Sequence, residues 1–366
     1  MIRPVWAEID LGAIRANLET INSQLPKQTK LMAVVKSNAY GHGLIQVAKT
    51  AVEAGADRLG VALVEEAIEL REAGLLVPIQ ILSEPPTSAA ETIISYDLIP
   101  AVYSTDLTKA LSAQAQKMSA TVKVHLKVDT GMHRVGIRPE KAVALYEAIS
   151  LLPGLVTEGV FTHFACADNP SDPYTEKQLR TFLKLKSKLP DIAIWHAANS
   201  AGFFHFPDSH LDMVRIGIAM YGLQPSTQSN LSELQPALSL KSKIMFVQEI
   251  QSGEGVSYGL TFHAKESKTI GMLPIGYGDG LRRLLSNQGK VLVSGQRVNI
   301  VGNVCMDQSM VDLSNVNATL GSEAVLIGSQ GQEKITAEEM AKTIGTINYE
   351  IVCLINNRVT RLYRKA

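Results

Sequence analysis

Eight short apolar runs, each of a length suited to a β-strand, alternate with amphipathic segments over the first two thirds of the chain. They are Leu31–Val35, Leu59–Val64, Pro78–Leu82, Leu98–Tyr103, Val122–Val128, Leu155–His163, Ile192–His196 and Met213–Ile218. Strands that are separated by crossover-length helices pair in parallel. Eight of them in this length predict an α/β fold whose N-terminal part is a (β/α)8 barrel of the TIM type. A doubly wound open sheet is the alternative, but no G-x-G-x-x-G follows the first run.

The segments between these runs carry apolar residues at helical spacing. In the segment before Leu155, one apolar face is formed by Ala142, Leu145, Tyr146 and Ile149. No helix pattern follows the eighth run. We expect its place to be filled by an N-terminal helix that Asp10 caps and Pro26 ends, with one face made of Leu11, Ile14, Leu18, Ile21 and Leu25.

The composition turns polar at Gln224–Pro236, and we place a domain boundary there. Residues 1–235 are assigned to the barrel and residues 236–366 to a mostly β C-terminal domain, with which about the first ten residues could pair. Ser294–Arg297 resembles a hairpin turn, and Ala337–Ile344 is the one helix expected in this domain. Its strand candidates are closely spaced: Leu238–Ile250, Thr269–Pro274, Val291–Val293, Val298–Val301, Met310–Leu313 and Ala324–Ile327.

Composition excludes several classes of protein. Lys plus Arg (35) equals Asp plus Glu (35), so the chain lacks the surplus cations that nucleic-acid binding requires. Three cysteines are too few for a disulfide framework and indicate reduced thiols. The N-terminus has no apolar signal region, and no apolar stretch reaches the roughly 18 residues of a membrane span. We therefore expect a cytoplasmic protein with neither a nucleic-acid nor a membrane partner.

Ionisable side chains stand where five of the predicted strands end. Lys36 follows the first strand, Lys127 ends the fifth, His163 the sixth and His196 the seventh, while Arg215 is in the eighth. The C-terminal ends of the strands carry the chemistry in barrels of this kind. Barrel interiors also hold a few satisfied polar residues, so any single one of these is as compatible with structure as with function.

Lys36 is the residue whose position points to the most specific chemistry. Burial at a strand end would lower its pKa and expose a nucleophilic amine, which suits a Schiff base with an aldehyde cofactor. A surface lysine with a buried stem is the other reading. Donors for a cofactor phosphate stand at Gly217 and Ile218, after the eighth strand, with hydroxyls at Ser200 and Tyr40.

Nine short motifs resemble, in order, those of bacterial alanine racemases, which use pyridoxal 5'-phosphate, and the resemblance covers essentially the whole chain. The motif around Lys36 is Val35-Lys-Ser-Asn-Ala-Tyr-Gly-His-Gly43. The others are Lys127–Arg134, Thr162–Ala165, His196–Ser200, Arg215–Ile218, Gly255–Gly259, Gly276–Gly280, Cys305–Gln308 and Asn348–Glu350.

The resemblance implies a two-base racemase that interconverts L-alanine and D-alanine and supplies D-alanine for peptidoglycan. Lys36 would bind pyridoxal as an internal aldimine and act as one acid/base, and Tyr258 would be the acid/base on the opposite face. A phenol is a poor base at neutral pH, so Tyr258 needs help from a network through His163, Arg215 and His196. Arg215 would face the pyridine nitrogen and leave it unprotonated.

The remaining roles are implied by position. Arg134 would contact the cofactor and the substrate carboxylate, Lys127 would be the carbamylated residue, and Met306 and Tyr277 would contact substrate at the entrance. In this family Tyr258, Tyr277 and Met306 come from the other subunit, which implies a homodimer with shared active sites. Residues that would bind or flank the cofactor phosphate are Tyr40, Asn199, Ser200, Gly217, Ile218 and Tyr349.

Two positions depart from the family pattern, and two other functions remain open. Asn303 stands where an arginine is usual and Thr360 where a proline is usual, which puts local loop geometry in question. A metal-dependent amidohydrolase barrel would use Lys127, His163 and His196 as ligands, but Lys36 stands where that family has a His-x-His pair, and we assign no metal. A non-catalytic pyridoxal-phosphate-binding protein would need the barrel but not Tyr258 and Met306.

Overall fold

The computed structural model describes residues 2–189, 191–226 and 233–364. The chain divides into two compact units. The barrel unit consists of Ile14–Ala39 and Leu44–Gln235, and the β unit consists of Met1–Ala13, Tyr40–Gly43 and Pro236–Ala366. Residues 227–232, within the segment where the sequence predicts a domain boundary, lie outside the described residues.

The barrel unit contains a parallel sheet of eight strands in the order β8-β7-β6-β5-β4-β3-β2-β9. Asp212 N–H donates to the Trp195 carbonyl (3.0 Å) and Arg215 N–H to the Ala198 carbonyl (3.0 Å), so the two ends of the sheet nearly close it. This confirms the predicted (β/α)8 fold. The strands are β2 (Lys30–Val34), β3 (Arg58–Val61), β4 (Ile79–Ile81), β5 (Leu98–Val102), β6 (Val122–Lys127), β7 (Leu155–Phe161), β8 (Ile194–His196) and β9 (Met213–Ile216).

Helices connect the barrel strands. The N-terminal helix α1 holds the chain that follows the last strand, because the Asn17 amide donates to the carbonyls of Met220 (3.1 Å) and Gln235 (2.8 Å). The helices are α1 (Leu11–Ser23), α2 (Leu44–Glu53), α3 (Val64–Glu72), α4 (Ala90–Ser95), α5 (Thr105–Lys117), α6 (Pro139–Ser150), α7 (Tyr174–Lys186) and α8 (Ser200–His205).

The β unit contains a sheet in the order β11-β14-β17-β16-β15-β18-β10-β1-β20, with β19 paired to β18 and β12 paired to β13 apart from it. Two helices, α9 (Ala337–Ile344) and α10 (Asn348–Cys353), follow the strands β1–β19. The strands are β1 (Val5–Asp10), β10 (Leu238–Lys243), β11 (Phe246–Ile250), β12 (Gly255–Val256), β13 (Phe262–His263), β14 (Lys268–Leu273), β15 (Lys290–Val293), β16 (Gln296–Val301), β17 (Ser309–Asp312), β18 (Glu323–Gln330), β19 (Glu333–Ile335) and β20 (Thr360–Arg364).

One predicted strand is wrong in detail. The apolar run Leu238–Ile250 forms two strands, because β10 pairs with β1 and β18 whereas β11 pairs with β14. The break falls at Ile244, whose N–H donates to the Ser322 carbonyl (2.9 Å). A large twisted sheet has to curl, and a bend within one run lets its halves pair with different neighbours. Within the described residues, no helix is long and apolar enough to cross a bilayer.

Candidate active site

Lys36 lies two residues after the end of β2 and precedes a turn of left-handed backbone. Residues 37–40 all have positive φ, between 52° and 55°. This conformation costs an L-residue roughly 1–2 kcal/mol, so the surroundings must hold it. The Asn38 side chain accepts a hydrogen bond from the Leu44 N–H (2.8 Å), which ties the turn to the start of α2, and the Glu66 carboxylate accepts from the Ser37 N–H (2.5 Å). The half-buried Lys36 is therefore presented by a fixed, strained backbone.

Arg215 is the centre of a buried cluster at the mouth of the barrel. Its guanidinium donates to His196 Nδ1 (3.2 Å) and approaches His163 Nδ1 (3.1 Å). It also donates to the carbonyls of Thr162 and Ala197 (both 2.9 Å). Burial lowers the pKa of Arg215 to about 9, which leaves the group charged at neutral pH. Burial, and then the charge of Arg215, hold the pKa of both histidines well below the usual value.

Lys127 points into the same end of the barrel. Its Nζ donates to the Leu82 carbonyl (3.0 Å) and lies 5.3 Å from the centre of the Phe161 ring. Burial, followed by the charges of Arg134 and Arg215, lowers the pKa of Lys127 to about 7. A lysine with this pKa is a reactive neutral amine for much of the time at neutral pH. Arg134 lies in the loop after β6 with an exposed side chain.

The predicted phosphate residues of the barrel unit meet after β8 and β9. Ser200 Oγ accepts a hydrogen bond from the Gly217 N–H (3.0 Å). Asn199 caps α8, since its side chain accepts from the Gly202 N–H (2.8 Å). Ile218 begins a short 3₁₀ turn, Ile218–Tyr221. A hydroxyl and backbone N–H groups are thus gathered where two strands end.

The other two predicted phosphate residues meet in the β unit. The rings of Tyr40 and Tyr349 have centroids 6.0 Å apart and planes tilted by 50°. Tyr40 is buried, and Tyr349 lies in α10. Gly41 follows Tyr40 with φ of +80°, and a Cβ there would come 2.0 Å from the Val352 carbonyl oxygen. The close approach of this backbone to α10 therefore requires glycine.

Tyr258, Tyr277 and Met306 lie on three connected loops of the β unit. The Tyr277 N–H donates to the Cys305 carbonyl (2.9 Å), and the Gly278 N–H donates to the Met306 carbonyl (2.8 Å). Ser257, before Tyr258, donates through its hydroxyl to the Asn303 carbonyl (2.7 Å). All three side chains are exposed in the single chain, Tyr258 by 77%, Met306 by 54% and Tyr277 by 44%.

The two departures from the family pattern lie in ordered backbone. The Asn303 amide donates to the Tyr258 carbonyl (2.6 Å). Thr360 is the first residue of β20, which pairs with β1 in parallel, Trp6 opposite Thr360. Both positions are therefore accommodated within regular hydrogen bonding.

The structure adds three polar residues, Glu158, Arg58 and His125, that carry no role predicted from the sequence. Glu158 Oε2 lies 3.0 Å from His125 Nε2 and 2.8 Å from an Arg58 nitrogen, and His125 Nδ1 lies 2.9 Å from His196 Nε2. A signal existed for His125, because it stands two residues before Lys127 and strand alternation puts both on one face. Within residues 2–189, 191–226 and 233–364, no three His, Cys, Asp or Glu side chains are grouped to hold a metal ion.

Comparison with known proteins gives the same family over both units. The family described as the alanine racemase N-terminal domain matches residues 9–225, and that described as the alanine racemase C-terminal domain matches residues 237–363. The chain is 47% identical to an alanine racemase of Halothermothrix orenii over 368 residues, which span 99% of this chain and 97% of that relative. It is 43% identical to an alanine racemase of Desulfovibrio desulfuricans, over 99% and 98% of the two chains.

Solved structures agree. The alanine racemase of Bacillus anthracis with bound L-Ala-P is 40% identical and superposes with a TM-score of 0.94, covering 99% of this chain and 95% of that one. The alanine racemase from E. faecalis is also 40% identical, with a TM-score of 0.94 and 99% coverage of both chains.

Proposed function

Since the chain belongs to the alanine racemase family, we propose that it interconverts L-alanine and D-alanine with pyridoxal 5'-phosphate as its cofactor. The chain is a racemase, because alanine racemases match it over nearly its whole length. The observation that supports the cofactor is that one barrel contains both a strand-end amine, Lys36, and a buried guanidinium, Arg215. An amine can bind the aldehyde of such a cofactor, and a guanidinium can donate to its pyridine nitrogen.

The donor set of the barrel unit fits this cofactor. An aldehyde needs an amine, a phosphate dianion needs hydroxyl and N–H donors, and a pyridine nitrogen needs a donor that keeps its own proton. Lys36, the Ser200 hydroxyl, whose oxygen accepts from the Gly217 N–H and whose own proton is left to donate, and Arg215 have these properties. His196, Asn199 and Ile218 would complete this side, and Tyr40 and Tyr349 would add phenols. When bound, pyridoxal phosphate acidifies the Cα–H bond of an amino acid.

Arg215 would donate to the pyridine nitrogen and leave it unprotonated. An arginine with a pKa near 9 does not surrender its proton at neutral pH. Four polar atoms of the barrel surround its guanidinium: one terminal nitrogen donates to His196 Nδ1, and the other donates to the carbonyls of Thr162 and Ala197 and lies 3.1 Å from His163 Nδ1. An unprotonated ring withdraws electron density from Cα less strongly, which favours return of the proton to Cα over side reactions.

Racemisation needs an acid/base on each face of Cα. We assign Lys36 Nζ to one face and Tyr258 Oη to the other, and we propose that the network of His163, Arg215 and His196 supports Tyr258 as a base. Tyr258, Tyr277 and Met306 are exposed on the single chain, and we propose that they complete the site of a second copy in a homodimer. Exposed aromatic and methionine side chains are typical of such interfaces.

Arg134 would bind the substrate carboxylate, and we propose that Lys127 carries a carbamate that pairs with it. The neutral Lys127 amine attacks CO₂, which forms the N–C bond, converts one C=O bond into a carboxylate and releases one proton. Counted from the protonated lysine, two protons are released and a cation becomes an anion. The lowered pKa of Lys127 supplies the neutral amine that this step requires.

We further propose that the enzyme works in the cytoplasm and supplies D-alanine for peptidoglycan. The balance of 35 basic and 35 acidic residues supports a small-molecule enzyme without a nucleic-acid partner.

A panel of L-amino acids, each incubated with enzyme and added pyridoxal phosphate, tests the function when scored for D-product. We expect D-alanine as the main product and much less D-serine. A yellow protein that forms no D-amino acid would support the non-catalytic cofactor-binding alternative. An activity that needs a divalent metal instead of pyridoxal phosphate would support the amidohydrolase alternative.

A further inference from the structure

A chain of hydrogen bonds crosses the interior of the barrel and ends on Arg215. Glu158 Oε2 lies 3.0 Å from His125 Nε2, His125 Nδ1 lies 2.9 Å from His196 Nε2, and His196 Nδ1 lies 3.2 Å from an Arg215 nitrogen. His125 and His196 are both fully buried. The proposed chemistry uses the Arg215 end of this chain and leaves Glu158 and His125 without a role.

The sequence builds the far end of the chain with two local devices. The register between β6 and β7 shifts between Val124 and His125, so Glu158 is an extra residue in β7 with no partner. Such a bulge turns a side chain away from the face that strand alternation would give it. The next residue, Gly159, makes room for the imidazole, because a Cβ there would come 2.5 Å from His125 Cε1.

The direction of the hydrogen bonds follows from Arg215. A guanidinium only donates, so His196 Nδ1 must accept. Burial, then the charge of Arg215, hold the pKa of His196 well below its usual value, and the ring is neutral. A neutral imidazole carries one N–H. The His196 proton is therefore on Nε2 and is donated to His125 Nδ1.

The hydrogen bond between His125 and Glu158 has a fixed direction as well. Because His125 Nδ1 accepts, and burial lowers the pKa of His125 to about 4, its single proton is on Nε2, where the Glu158 carboxylate accepts it. Burial raises the pKa of Glu158, but the hydrogen bond from His125 and the charge of Arg58 outweigh burial and keep it ionised. Lys123, 3.0 Å from Glu158 Oε1, adds a second cation.

One contact favours the opposite arrangement. A second Arg58 nitrogen lies 3.2 Å from His125 Nε2 and would donate to it if that atom carried no proton. That tautomer would turn a lone pair toward the Glu158 carboxylate and set an N–H of His196 against Arg215. The first arrangement has one unfavourable contact, between Arg58 and the His125 N–H, whereas the opposite arrangement has two, at Glu158 and at Arg215. The carboxylate of Glu158 therefore decides between the two arrangements.

We propose that Glu158 and His125 are positioning residues, which fix His196 as its Nε2–H tautomer and so give Arg215 an acceptor that holds it in the orientation for the pyridine nitrogen. The orientation of Arg215 toward the pyridine nitrogen rests on the proposed function. The tautomer of His196 concerns atoms of the barrel alone and can be tested separately.

The test is two-bond ¹H–¹⁵N correlation spectroscopy on holoenzyme labelled with ¹⁵N-histidine, which distinguishes imidazole tautomers. We expect Nε2–H at both His125 and His196 in the wild type. In Glu158→Gln the amide can donate to His125 Nε2, so the Nδ1–H tautomer should appear at both rings. Glu176→Gln, which removes an exposed carboxylate 3.3 Å from Arg180, is the matched control and should change neither ring.

Racemisation is measured on the same samples. In Glu158→Gln, Arg215 should lose its hydrogen bond to His196 Nδ1. This loss should lower kcat by about tenfold and change the KM for alanine less than about twofold. Nδ1–H at His196 in the wild type, or an unchanged spectrum in Glu158→Gln, would overturn the proposal. A tautomer change without loss of turnover would overturn the link to Arg215.

Two further outcomes remain decisive. If Glu158→Gln does not fold, the wild-type tautomers still test the proposal, because the opposite pair contradicts it. If the wild type has the expected tautomers but no racemase activity, the proposed function fails while the assignment of the hydrogen bonds stands.

Discussion

The side-chain amide of Asn303 donates a 2.6 Å hydrogen bond to the backbone carbonyl of Tyr258. The Asn303 carbonyl in turn accepts from the Ser257 hydroxyl (2.7 Å), so Asn303 is bonded both to the Tyr258 carbonyl and to the side chain of the residue before it. Ser257 has φ of 66°, a left-handed backbone that is costly for a residue other than glycine and therefore needs such support. A position that departs from the family pattern therefore fixes the backbone of the proposed second base.

Asn303→Ala removes the hydrogen bond to the Tyr258 carbonyl and should lower kcat by about tenfold, because a displacement of the phenol by up to about 1 Å is enough to slow proton transfer. Pyridoxal binding, followed by its absorbance, should be unchanged, since the barrel side of the site is intact. Asn315→Ala, at an exposed asparagine of the same unit, is the control. Wild-type kcat in Asn303→Ala would show that this bond does not position Tyr258.

Tyr258→Phe should abolish proton transfer on one face of Cα and spare the other. Exchange of the Cα hydrogen for deuterium, followed by NMR from each pure enantiomer, should fall by about 10² or more from one and much less from the other. Tyr146→Phe, on α6, is the control. Equal rates from both enantiomers at the wild-type level would contradict the two-base assignment.

Lys127 should bind CO₂ more fully as the pH rises. Burial, Arg134 and Arg215 lower its pKa from 10.5 to about 7, and only the deprotonated amine reacts. With ¹³C-bicarbonate we expect a carbamate signal that grows from about pH 6 to pH 8 and disappears in Lys127→Ala. The signal should persist in Lys184→Ala, at an exposed lysine of α7. A carbamate signal in Lys127→Ala would place the modification elsewhere.

The buried histidine His125 should make the protein acid-sensitive. Its pKa is lowered from 6.5 to about 4 by burial, so between these values the unfolded chain binds a proton that the native chain does not. Stability is then lost as the pH falls from 6.5 to 4, by about 1.4 kcal/mol per pH unit for one proton. The urea midpoint of His125→Gln should fall less steeply over this range. Parallel curves for both proteins would indicate that His125 titrates normally.

The strand pattern predicted the barrel because parallel strands buried on both faces are continuous apolar runs with helices between them. Lys36, Lys127 and Arg215 were predictable as a group, since the strand ends of a barrel converge. The left-handed turn at residues 37–40 was not, because Ser37, Ala39 and Tyr40 have no local preference for positive φ, and one tolerant residue, Asn38, does not predict four in a row.

The Glu158 bulge was hidden from the sequence for a related reason. Alternation in Leu155–Phe161 would put Glu158 on the opposite face from Phe161, and only the register of β6 against β7 reveals that it reaches His125. The split of Leu238–Ile250 into two strands likewise depends on which partners its halves find. Pairing of distant strands is a property of the fold and not of the local run.

The proposed function depends above all on covalent binding of pyridoxal phosphate by the amine of Lys36. Borohydride reduction of the yellow holoenzyme, followed by peptide mapping with mass spectrometry, tests it most directly. We expect one reduced pyridoxyl group per chain, on Lys36, with loss of label, colour and turnover in Lys36→Ala. A reduced enzyme that carries its label on Lys127 or another lysine, or carries none while it still racemises alanine, would contradict it.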